Sequence, residues 1–353
     1  MARVSVAGIR TFVEGSKGKT VHIGVDVHKR SYSVALLRSD GAWKEWTAPS
    51  SPKALESTLL PLRSRIGAVV YEAGPTGFGL ARRLTRAGIP VIVAAPSRIP
   101  RPVAATSKTD RLDGRKLAEY AATGMLRPIA VPSETEEGFR ALVRRRHRLT
   151  DSIRHAKQRI RGLLLQFGIP EPAEIDHWGK TAVAEVGQLS LPPGADMTRD
   201  SLLRELAFLT QEREVIEETL RQAYRAPEHE GRVKALKTVP GVGEIVATTF
   251  AAEVFRPGRF RRPEEVASYL GLAPVVRQSG GGKARAQIRP VGQRRLRSLL
   301  VEAAWMWKQR DAAAEMFYRR ILGRTGLPQK AIVAVARKLA ITPWSLSASP
   351  VAA

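Results

Sequence analysis

The segment VHIGVDV (21–27) is the starting point for predicting the fold of the N-terminal part of this chain, because it combines β-branched and apolar residues with a single acid. A run of this composition predicts a buried strand. Two further strands are expected directly after it, in SYSVALLR (31–38) and AWKEWT (42–47), with Asp40 and Gly41 marking the turn between them. The opening pattern therefore predicts a three-strand antiparallel meander.

Beyond the meander, the pattern alternates between helix and strand. The predicted elements are a helix over 51–66 broken or kinked at Pro61, a buried strand GAVVYEA (67–73), a helix over 76–87, a strand PVIVAA (90–95) and a helix over 110–124. Three antiparallel strands followed by alternating helix and strand indicate a mixed sheet covered by helices. This order also occurs in ribonuclease-H-like nucleases.

The middle of the chain changes to long helices. One is expected over 133–167 and a second over 201–224, with a Pro- and Gly-punctuated crossover at 168–197 between them. A narrow apolar stripe on a charged helix is typical of a coiled-coil or two-helix arm. Residues 140–161 hold nine Lys or Arg and one Asp. A solvated face is the plain interpretation, but i,i+4 pairing cannot neutralise one sign of charge, which favours contact with a polyanion.

The last third begins with VKALKTVPGVGEIVATTFAAEV (233–254), a helix, a tight turn and a helix. Further helices are expected over 294–310 and 329–340, and residues 256–297 hold eleven Lys or Arg against two Glu. The predicted organisation is a loose basic lead (1–19), an α/β domain (20–132), a helical arm (133–230) and a mostly helical C-terminal domain (231–345).

Composition excludes several classes of protein. The chain has 353 residues, with 58 Lys plus Arg against 33 Asp plus Glu, a net charge of +25. Such an excess points to a polyanionic partner. The absence of cysteine excludes disulfides, zinc ribbons, iron–sulfur clusters and a cysteine nucleophile. No membrane span or secretory signal is recognised, so we expect a cytoplasmic, nucleoid-associated bacterial protein with no membrane partner.

Four acids form the first candidate site. Asp26 and Glu72 each lie in an apolar strand, where an unpaired carboxylate is costly, and Lys29 is the only obvious local partner of Asp26. Asp110 and Asp113 share one helix face, although a helix cap and a first-turn dipole partner would also explain them. If the two strands are neighbours, all four can converge. Oxygen ligands without His or Cys suit Mg²⁺ or Mn²⁺.

Two glycine-rich segments are further candidates. Ser279 precedes three glycines, Lys283 and Arg285, a composition that lets a phosphate approach the backbone, although from the residues alone a flexible turn is the first explanation. VPGVG (239–243) resembles the turn of a helix-hairpin-helix, in which Gly241 and Gly243 would present amides to a phosphate. A turn that only packs is about as plausible from the residues alone.

Six motifs resemble those of the DEDD-type insertion-sequence transposases, the one-ten family. They are GVDVHK (24–29), YEAGPTGFGLARRL (71–84), SKTDRLDGRKLA (107–118), VPGVG (239–243), YLGLAPVVRQSGGGK (269–283) and GQRRLRSLLVEAAW (292–305). The resemblance covers about residues 20–340. It implies a RuvC-like, ribonuclease-H-like first domain, a coiled-coil arm used for oligomerisation and a helical transposase domain with a helix-hairpin-helix.

The resemblance also implies roles for single residues and partners. The family's four acids match Asp26, Glu72, Asp110 and Asp113, and its catalytic serine matches Ser279. It implies a non-coding bridge RNA that pairs with both donor and target DNA, and a homo-oligomer, dimer or tetramer, with active sites composed across protomers.

The resulting hypothesis is an insertion-sequence transposase that cleaves and rejoins DNA through a phosphoserine-type intermediate, with Mg²⁺ or Mn²⁺ on the four acids. The expected nucleic-acid contacts are Arg144, Arg145, Arg146, Arg148, Lys157, Arg161, Gly241, Gly243, Arg277, Lys283, Arg285, Arg294, Arg295 and Arg297. Two alternatives stay open: a metal-dependent Holliday-junction-type endonuclease that uses water and the same acids, and a non-enzymatic nucleic-acid-binding protein.

Overall fold

The computed structural model describes residues 5–15, 20–100, 114–173, 175–277, 285–288 and 292–348. The chain divides into two compact units, Met1–Ser133 and Glu134–Ala353. The first holds a five-stranded sheet with helices, and the described part of the second is mostly helical. The predicted α/β class with a helical C-terminal region is therefore confirmed.

The sheet of the first unit is mixed. Its strands are β1 (Val21–Val27), β2 (Ser31–Arg38), β3 (Trp43–Pro49), β4 (Ile66–Glu72) and β5 (Val91–Ala94). They are arranged in the order β3-β2-β1-β4-β5, antiparallel from β3 to β1 and parallel from β1 to β5. The predicted meander followed by alternating elements is confirmed, and β1 is hydrogen-bonded on both sides.

The described helices of this unit are α1 (Val6–Glu14), α2 (Pro52–Leu59), α3 (Gly79–Arg86) and α4 (Gly114–Ala122). The Ser51 hydroxyl caps α2 by accepting a hydrogen bond from the Ala54 N–H. The chain then tightens into a 3₁₀ turn over Leu60–Arg65, which contains Pro61. The predicted break at this proline is confirmed, because proline cannot donate the next helical hydrogen bond.

Helix α1 contradicts the prediction of a loose lead over residues 1–19. Its side chains Ile9 and Val13 are fully buried in the core of the first unit. The Arg38 guanidinium lies 4.8 Å from the centre of the Phe12 ring and donates to the Phe12 carbonyl. Two apolar residues four apart are too short a stripe to distinguish a helix from a basic tail, so tertiary packing decided the outcome.

Helices cover both faces of the sheet. On one face, Ile23 and Val25 of β1 share a core with α1, α2 and α3. On the other face, Val70 of β4 shares a smaller core with Leu117 of α4. Because side chains alternate along a strand, Gly24 and Asp26 of β1 lie on the α4 face.

The second unit begins with α5 (Glu134–Gln166), α6 (Lys180–Gln188) and α7 (Ala195–Tyr224). Helices α5 and α7 pack along one another. Their far end is closed by an apolar cluster that includes Ile160 and Val186. These two long helices lie in the region predicted to be a helical arm, while α6 is a helix inside the segment expected to be the crossover.

The remaining elements are α8 (Pro227–Lys237), α9 (Glu244–Glu253), α10 (Pro263–Leu270), β6 (Pro274–Arg277), β7 (Arg285–Ile288), α11 (Arg294–Arg310), α12 (Ala312–Thr325) and α13 (Pro328–Ala348). The predicted helix at 294–310 coincides with α11, whereas α10, α12 and the β6–β7 pair were not anticipated. Phe139 of α5 and Leu220 of α7 share the core of these helices. The predicted division at 230/231 thus falls inside one compact unit.

Within the described ranges, no helix has the length and apolar character needed to cross a membrane.

Candidate active site

Asp26, the second-last residue of β1, and Glu72, the last residue of β4, lie at the same edge of the sheet on neighbouring parallel strands. The register of β1 and β4 pairs Val25 with Tyr71, so the next residue of each strand is one of the acids. Both acids lie on the face opposite Val25 and Tyr71, which is the face covered by α4. The strands β1 and β4 are therefore neighbours, as the predicted convergence of the acids requires.

The side chains of Asp26 and Glu72 are only partly exposed, 27% in the case of Asp26. Two carboxylates on adjacent strands repel one another, and partial burial removes some of the water that would screen the repulsion. A cation or a hydrogen-bond donor is therefore the expected companion of this pair.

The observed companion of Asp26 is His28. Its Nε2 atom lies 2.8 Å from Oδ2 of Asp26. The Ser50 hydroxyl donates to the His28 carbonyl at 3.0 Å, which ties the turn after β1 to the end of β3. The suggestion that Lys29 partners Asp26 is thus corrected, because the neighbouring histidine occupies that place.

The start of α4 rests directly on β1. A Cβ atom built on Gly24 would lie 1.8 Å from the Gly114 carbonyl oxygen, and one built on Gly114 would lie 2.9 Å from the Gly24 carbonyl oxygen. Only two glycines permit this approach of backbone to backbone. Sequence reasoning missed the pair, although a glycine inside an apolar strand is a signal of close approach.

Two of the four predicted acids, Asp110 and Asp113, lie outside the described residues. In the chain, Asp113 is covalently joined to Gly114, the residue that touches Gly24. Among the described residues, no cluster of three or more His, Cys, Asp and Glu side chains could hold a metal ion. Asp26 and Glu72 supply oxygen donors of the kind that Mg²⁺ and Mn²⁺ prefer, so the donor chemistry fits while the described set is half of the predicted one.

Ser279 and Lys283 also lie outside the described residues. The flanking strands β6 and β7 pair antiparallel, with Arg277 opposite Arg285. The predicted glycine-rich segment therefore connects the two strands of a β-hairpin. Only the backbones of Arg277 and Arg285 are described, in this pairing.

The base of this hairpin is anchored to α10 and α11. Gly292 has φ +82, and a Cβ there would lie 2.6 Å from the Tyr269 carbonyl oxygen. The Gln293 side chain donates to the Tyr269 hydroxyl at 3.2 Å, and that hydroxyl donates to the Glu253 carbonyl at 2.9 Å. The chain before the hairpin, at Tyr269, and the chain after it, at Gly292 and Gln293, are thus held together.

The basic face of α5 is largely paired within the second unit. Arg144 donates twice to Glu253, at 2.8 and 2.9 Å. Arg146 lies 2.8 Å from Glu217 of α7. The carboxylate partners of these two arginines thus come from α7 and α9 and not from α5 itself.

Other predicted contacts on α5 differ in their surroundings. Arg145 has a long 3.8 Å approach to Glu212, and Arg161 pairs with Asp176 and Glu171. Lys157 lies 5.4 Å from the Trp178 ring, and burial lowers the pKa of its ammonium. Arg148 is exposed and has no ion pair within the described ranges.

Around α11, Arg294 is exposed, Arg295 donates to the Arg144 carbonyl and Arg297 donates to the Gly271 carbonyl. Helices α8 and α9 are joined by a short turn, as predicted. Gly241 has φ +83, and a Cβ there would lie 2.5 Å from the Ala303 carbonyl oxygen, so close packing on α11 already accounts for this glycine. Gly243 is exposed at the start of α9.

One histidine of the second unit has a strongly shifted pKa. Burial, with Arg146 and Arg295 nearby, lowers the pKa of His147 to about 4. Its Nε2 lies 3.1 Å from the Thr249 hydroxyl. A neutral imidazole in a basic surrounding is a structural element that acid will disturb.

Comparison with known proteins assigns the chain to a family. A transposase profile of the DEDD IS110 type matches residues 23–169, which include Asp26, Glu72, Asp110 and Asp113. The profile of the transposase IS116/IS110/IS902 family matches residues 233–319, which include Ser279. The two matches lie in the two halves of the chain and do not overlap.

Relatives span most of the chain. The relative y4qE of Sinorhizobium fredii, which is named as a transposase, is 31% identical over 291 residues, which are 81% of this chain and 71% of the relative. The transposase for insertion sequence element IS1111A of Coxiella burnetii is 26% identical over 92% of this chain and 88% of its own. The transposase for insertion sequence element IS1533 of Leptospira borgpetersenii is 23% identical over 92% and 94%. The chain therefore belongs to the IS110-type DEDD transposases, enzymes of insertion sequences that act on DNA.

Proposed function

We propose that this transposase cuts and rejoins DNA strands, with Asp26 and Glu72 as metal ligands and Ser279 as the nucleophile. The observation that carries the proposal is the placement of Asp26 and Glu72 on neighbouring parallel strands, on the face where α4 begins. A protein that only bound nucleic acid would gain nothing from two partly desolvated carboxylates there.

The metal-binding set in this proposal is Asp26, Glu72, Asp110 and Asp113, and the ion is Mg²⁺ or Mn²⁺. Because Gly114 rests on Gly24, the chain enters α4 beside β1, the strand that contains Asp26. Asp113 is the residue before that contact, which supports its inclusion. When bound, a divalent ion supplies positive charge to the phosphate oxygens of the scissile bond.

The residues of this chain would divide the remaining work. Asp26 and Glu72 fix the acidic edge, and His28 orients the Asp26 carboxylate through the 2.8 Å contact. Ser279 gives its hydroxyl proton to solvent as its Oγ forms a bond to phosphorus, and the deoxyribose oxygen whose bond to that phosphorus breaks leaves and takes up a proton. A hydroxyl of the new strand then attacks the same phosphorus and releases Ser279.

A covalent intermediate is favoured over hydrolysis because it keeps one phosphodiester-equivalent bond at every stage. Strand rejoining needs that bond, whereas a junction endonuclease that uses water does not. The anchoring of both hairpin ends by Gly292, Gln293 and Tyr269 supports a positioned nucleophile between them.

The nucleic-acid contacts are proposed to come from the basic residues named above. Arg148 and Arg294 are the best-supported members, since both are exposed. Arg144, Arg145, Arg146 and Arg161 would have to share their guanidinium groups with Glu253, Glu212, Glu217 and Asp176. The net charge of +25 supports backbone contact as the main source of affinity.

Target choice is proposed to come from a non-coding bridge RNA, and the working form is proposed to be a homo-oligomer. Pairing by a guide would free the protein from reading bases. Expression with the native flanking DNA, followed by sequencing of the co-purified nucleic acid, tests the guide. One discrete RNA from the flank is the expected result, and only scattered host nucleic acid would contradict it.

The serine is tested by trapping its adduct. End-labelled DNA that carries an element end is incubated with protein and Mg²⁺, denatured, and resolved by electrophoresis. We expect a denaturant-resistant protein–DNA band that disappears in Ser279→Ala and persists in Ser298→Ala, a matched change on the exposed side of α11. An adduct that survives in Ser279→Ala would refute the nucleophile, and free cleaved ends without any adduct would favour the endonuclease.

A further inference from the structure

A groove opens at the same edge of the first unit's sheet as the acids, but on the opposite face. Val27 and Tyr71 line this groove. Val27 follows Asp26 in β1, and Tyr71 precedes Glu72 in β4. Consecutive Cα atoms are about 3.8 Å apart, so the groove begins one residue away from each carboxylate. We call it the strand-end groove, and its other principal lining residues are Lys29, Tyr32, Thr76 and Leu80.

The floor of the strand-end groove is apolar. Val27, Tyr71 and Leu80 belong to or pack on the core of the first unit. The groove encloses about 460 Å³, within the range of roughly 300–1,000 Å³ that small-molecule sites occupy. Such a floor suits a sugar or base and is poorly suited to bulk water.

Tyr32 lines this groove and brings a hydroxyl group to it. The residue is 4% exposed. Its hydroxyl has no hydrogen-bond partner within the part of the chain that the structure describes. This hydroxyl is not among the fully buried unpartnered polar atoms of the described residues, so water reaches it from the groove and an occupant can replace that water. The hydroxyl is therefore positioned to bond an occupant of the groove.

The rim of the groove is positive. Lys29 is exposed and has no ion pair among the described residues, because His28 takes the contact with Asp26. Gly79 begins α3, an eight-residue helix without a side-chain cap, and Gly79 and Leu80 of its first turn line this end of the groove, where the helix dipole adds positive charge. The described lining contains no acidic side chain. This combination selects an anion attached to an apolar body.

We propose that the strand-end groove holds one nucleotide of the substrate DNA strand, next to the phosphate that is cut. Its phosphate lies against Lys29 and the start of α3, its sugar and base lie on the apolar floor, and Tyr32 donates to a polar atom of the same nucleotide. The assignment rests on the proposed function for its choice of DNA, and it makes Lys29 and Tyr32 positioning residues.

Photo-cross-linking tests the groove without any cleavage. Full-length protein in EDTA is mixed with a single-stranded DNA of the element end that carries one 5-iododeoxyuridine, moved through successive positions, and irradiated. Tryptic peptides are then mapped by mass spectrometry. We expect cross-links, at one or two positions only, in SYSVALLR (31–38), which contains Tyr32, or in the peptide of residues 66–82, which contains Tyr71.

Matched variants measure the contribution of the rim. Lys29→Gln should lower that cross-link yield about fivefold, and should make the slope of log affinity against log salt shallower by about 0.7, the value for one lost single-strand phosphate contact. Tyr32→Phe keeps the ring and should weaken binding about threefold. Lys53→Gln, an exposed lysine of α2 outside the groove, is the control and should behave as the parent.

Three results would overturn the assignment: cross-links only in other peptides, equal yields for Lys29→Gln and Lys53→Gln, or preference of the groove for the RNA version of the same oligonucleotide. Because metal and cleavage are absent from the assay, these outcomes are separate from a failure of the serine or metal proposals.

Discussion

Replacing Gly24 with alanine perturbs the contact that joins the acidic strand to α4. The added Cβ would lie 1.8 Å from the carbonyl oxygen of Gly114, 2.7 Å from its carbonyl carbon and 2.9 Å from the amide nitrogen of Ala118. All three are backbone atoms, so no side-chain rotation relieves the clash. Either α4 moves away from β1 or the strand distorts.

The size of the effect follows from these distances. Ordinary van der Waals contact begins near 3.4 Å, so the 1.8 Å approach requires a displacement of about 1.6 Å. Overpacking of this kind costs about 1–3 kcal/mol, which is about 2–4 °C in Tm for each kcal/mol in a domain of this size. A misplacement of about 1 Å near reacting groups costs roughly 100-fold in rate. We therefore expect DNA cleavage to suffer far more than stability.

The assay combines thermal unfolding, cleavage of end-labelled DNA and hydrogen exchange of the peptide that contains α4. Gly138→Ala is the control, because a Cβ there meets nothing within 4 Å and alanine favours a helix by about 1 kcal/mol. Faster exchange in α4 should accompany the loss of cleavage in Gly24→Ala. Parent-like exchange and cleavage in this variant would show that the Gly24–Gly114 contact does not position the site.

Three further predictions concern the second unit and the whole chain. Glu253→Gln removes the anionic partner of Arg140 and Arg144 at a residue that is 5% exposed, and should lower the free energy of unfolding by about 3 kcal/mol in chemical denaturation. The control Glu218→Gln changes an exposed carboxylate and should alter that free energy by no more than about 0.5 kcal/mol; equal losses in the two variants would contradict the prediction. The pKa of His147 is lowered from 6.5 to about 4, so the unfolded chain takes up the proton first as the pH falls. The free energy of unfolding should therefore be fully present above pH 6.5 and fall by about 1–2 kcal/mol toward pH 4, after allowance for partial exposure. His147→Gln should flatten this pH dependence, and an unchanged profile in that variant would refute the role of His147. Affinity for duplex DNA should fall steeply with salt, with a slope of about −0.9 for each neutralised phosphate, and a flat response in a filter-binding titration would exclude backbone contact as the main term.

The sheet and its acidic edge could be predicted because they rest on local signals. Apolar strands of β-branched residues fix β1 and β4, and an acid at the end of each is visible in the sequence. The neighbouring parallel arrangement follows from topology rules that allow few alternatives for a strand–helix–strand connection. What these rules cannot provide is the distance between strand and helix, which Gly24 and Gly114 determine.

The ion pairs of α5 could not be predicted. Arg146 and Arg159 meet Glu217 and Glu205, which are 71 and 46 residues away in sequence. Composition within one helix therefore overstates the charge that is free to meet DNA. The same reason explains why Arg148, which has identical chemistry and no ion pair among the described residues, is the more available cation.

Other features escaped prediction because tertiary packing decides them. Helix α1 depends on two side chains, Ile9 and Val13, that gain their stability only from the sheet core. The strand-end groove depends on the placement of Tyr32 in its lining, and in sequence Tyr32 is one aromatic residue of an ordinary strand. Burial and partner geometry are the missing information in both cases.

The most direct test of the central claim is the cleavage rate of Asp26→Asn and Glu72→Gln beside their affinity for DNA, with Asp151→Asn on the exposed face of α5 as control. If the acidic edge is the metal-dependent centre, each of the two changes should reduce Mg²⁺-dependent cleavage by about 10²–10³-fold, equivalent to roughly 3–4 kcal/mol, while affinity in EDTA stays within about twofold. Cleavage at the rate of the Asp151→Asn control would contradict the claim.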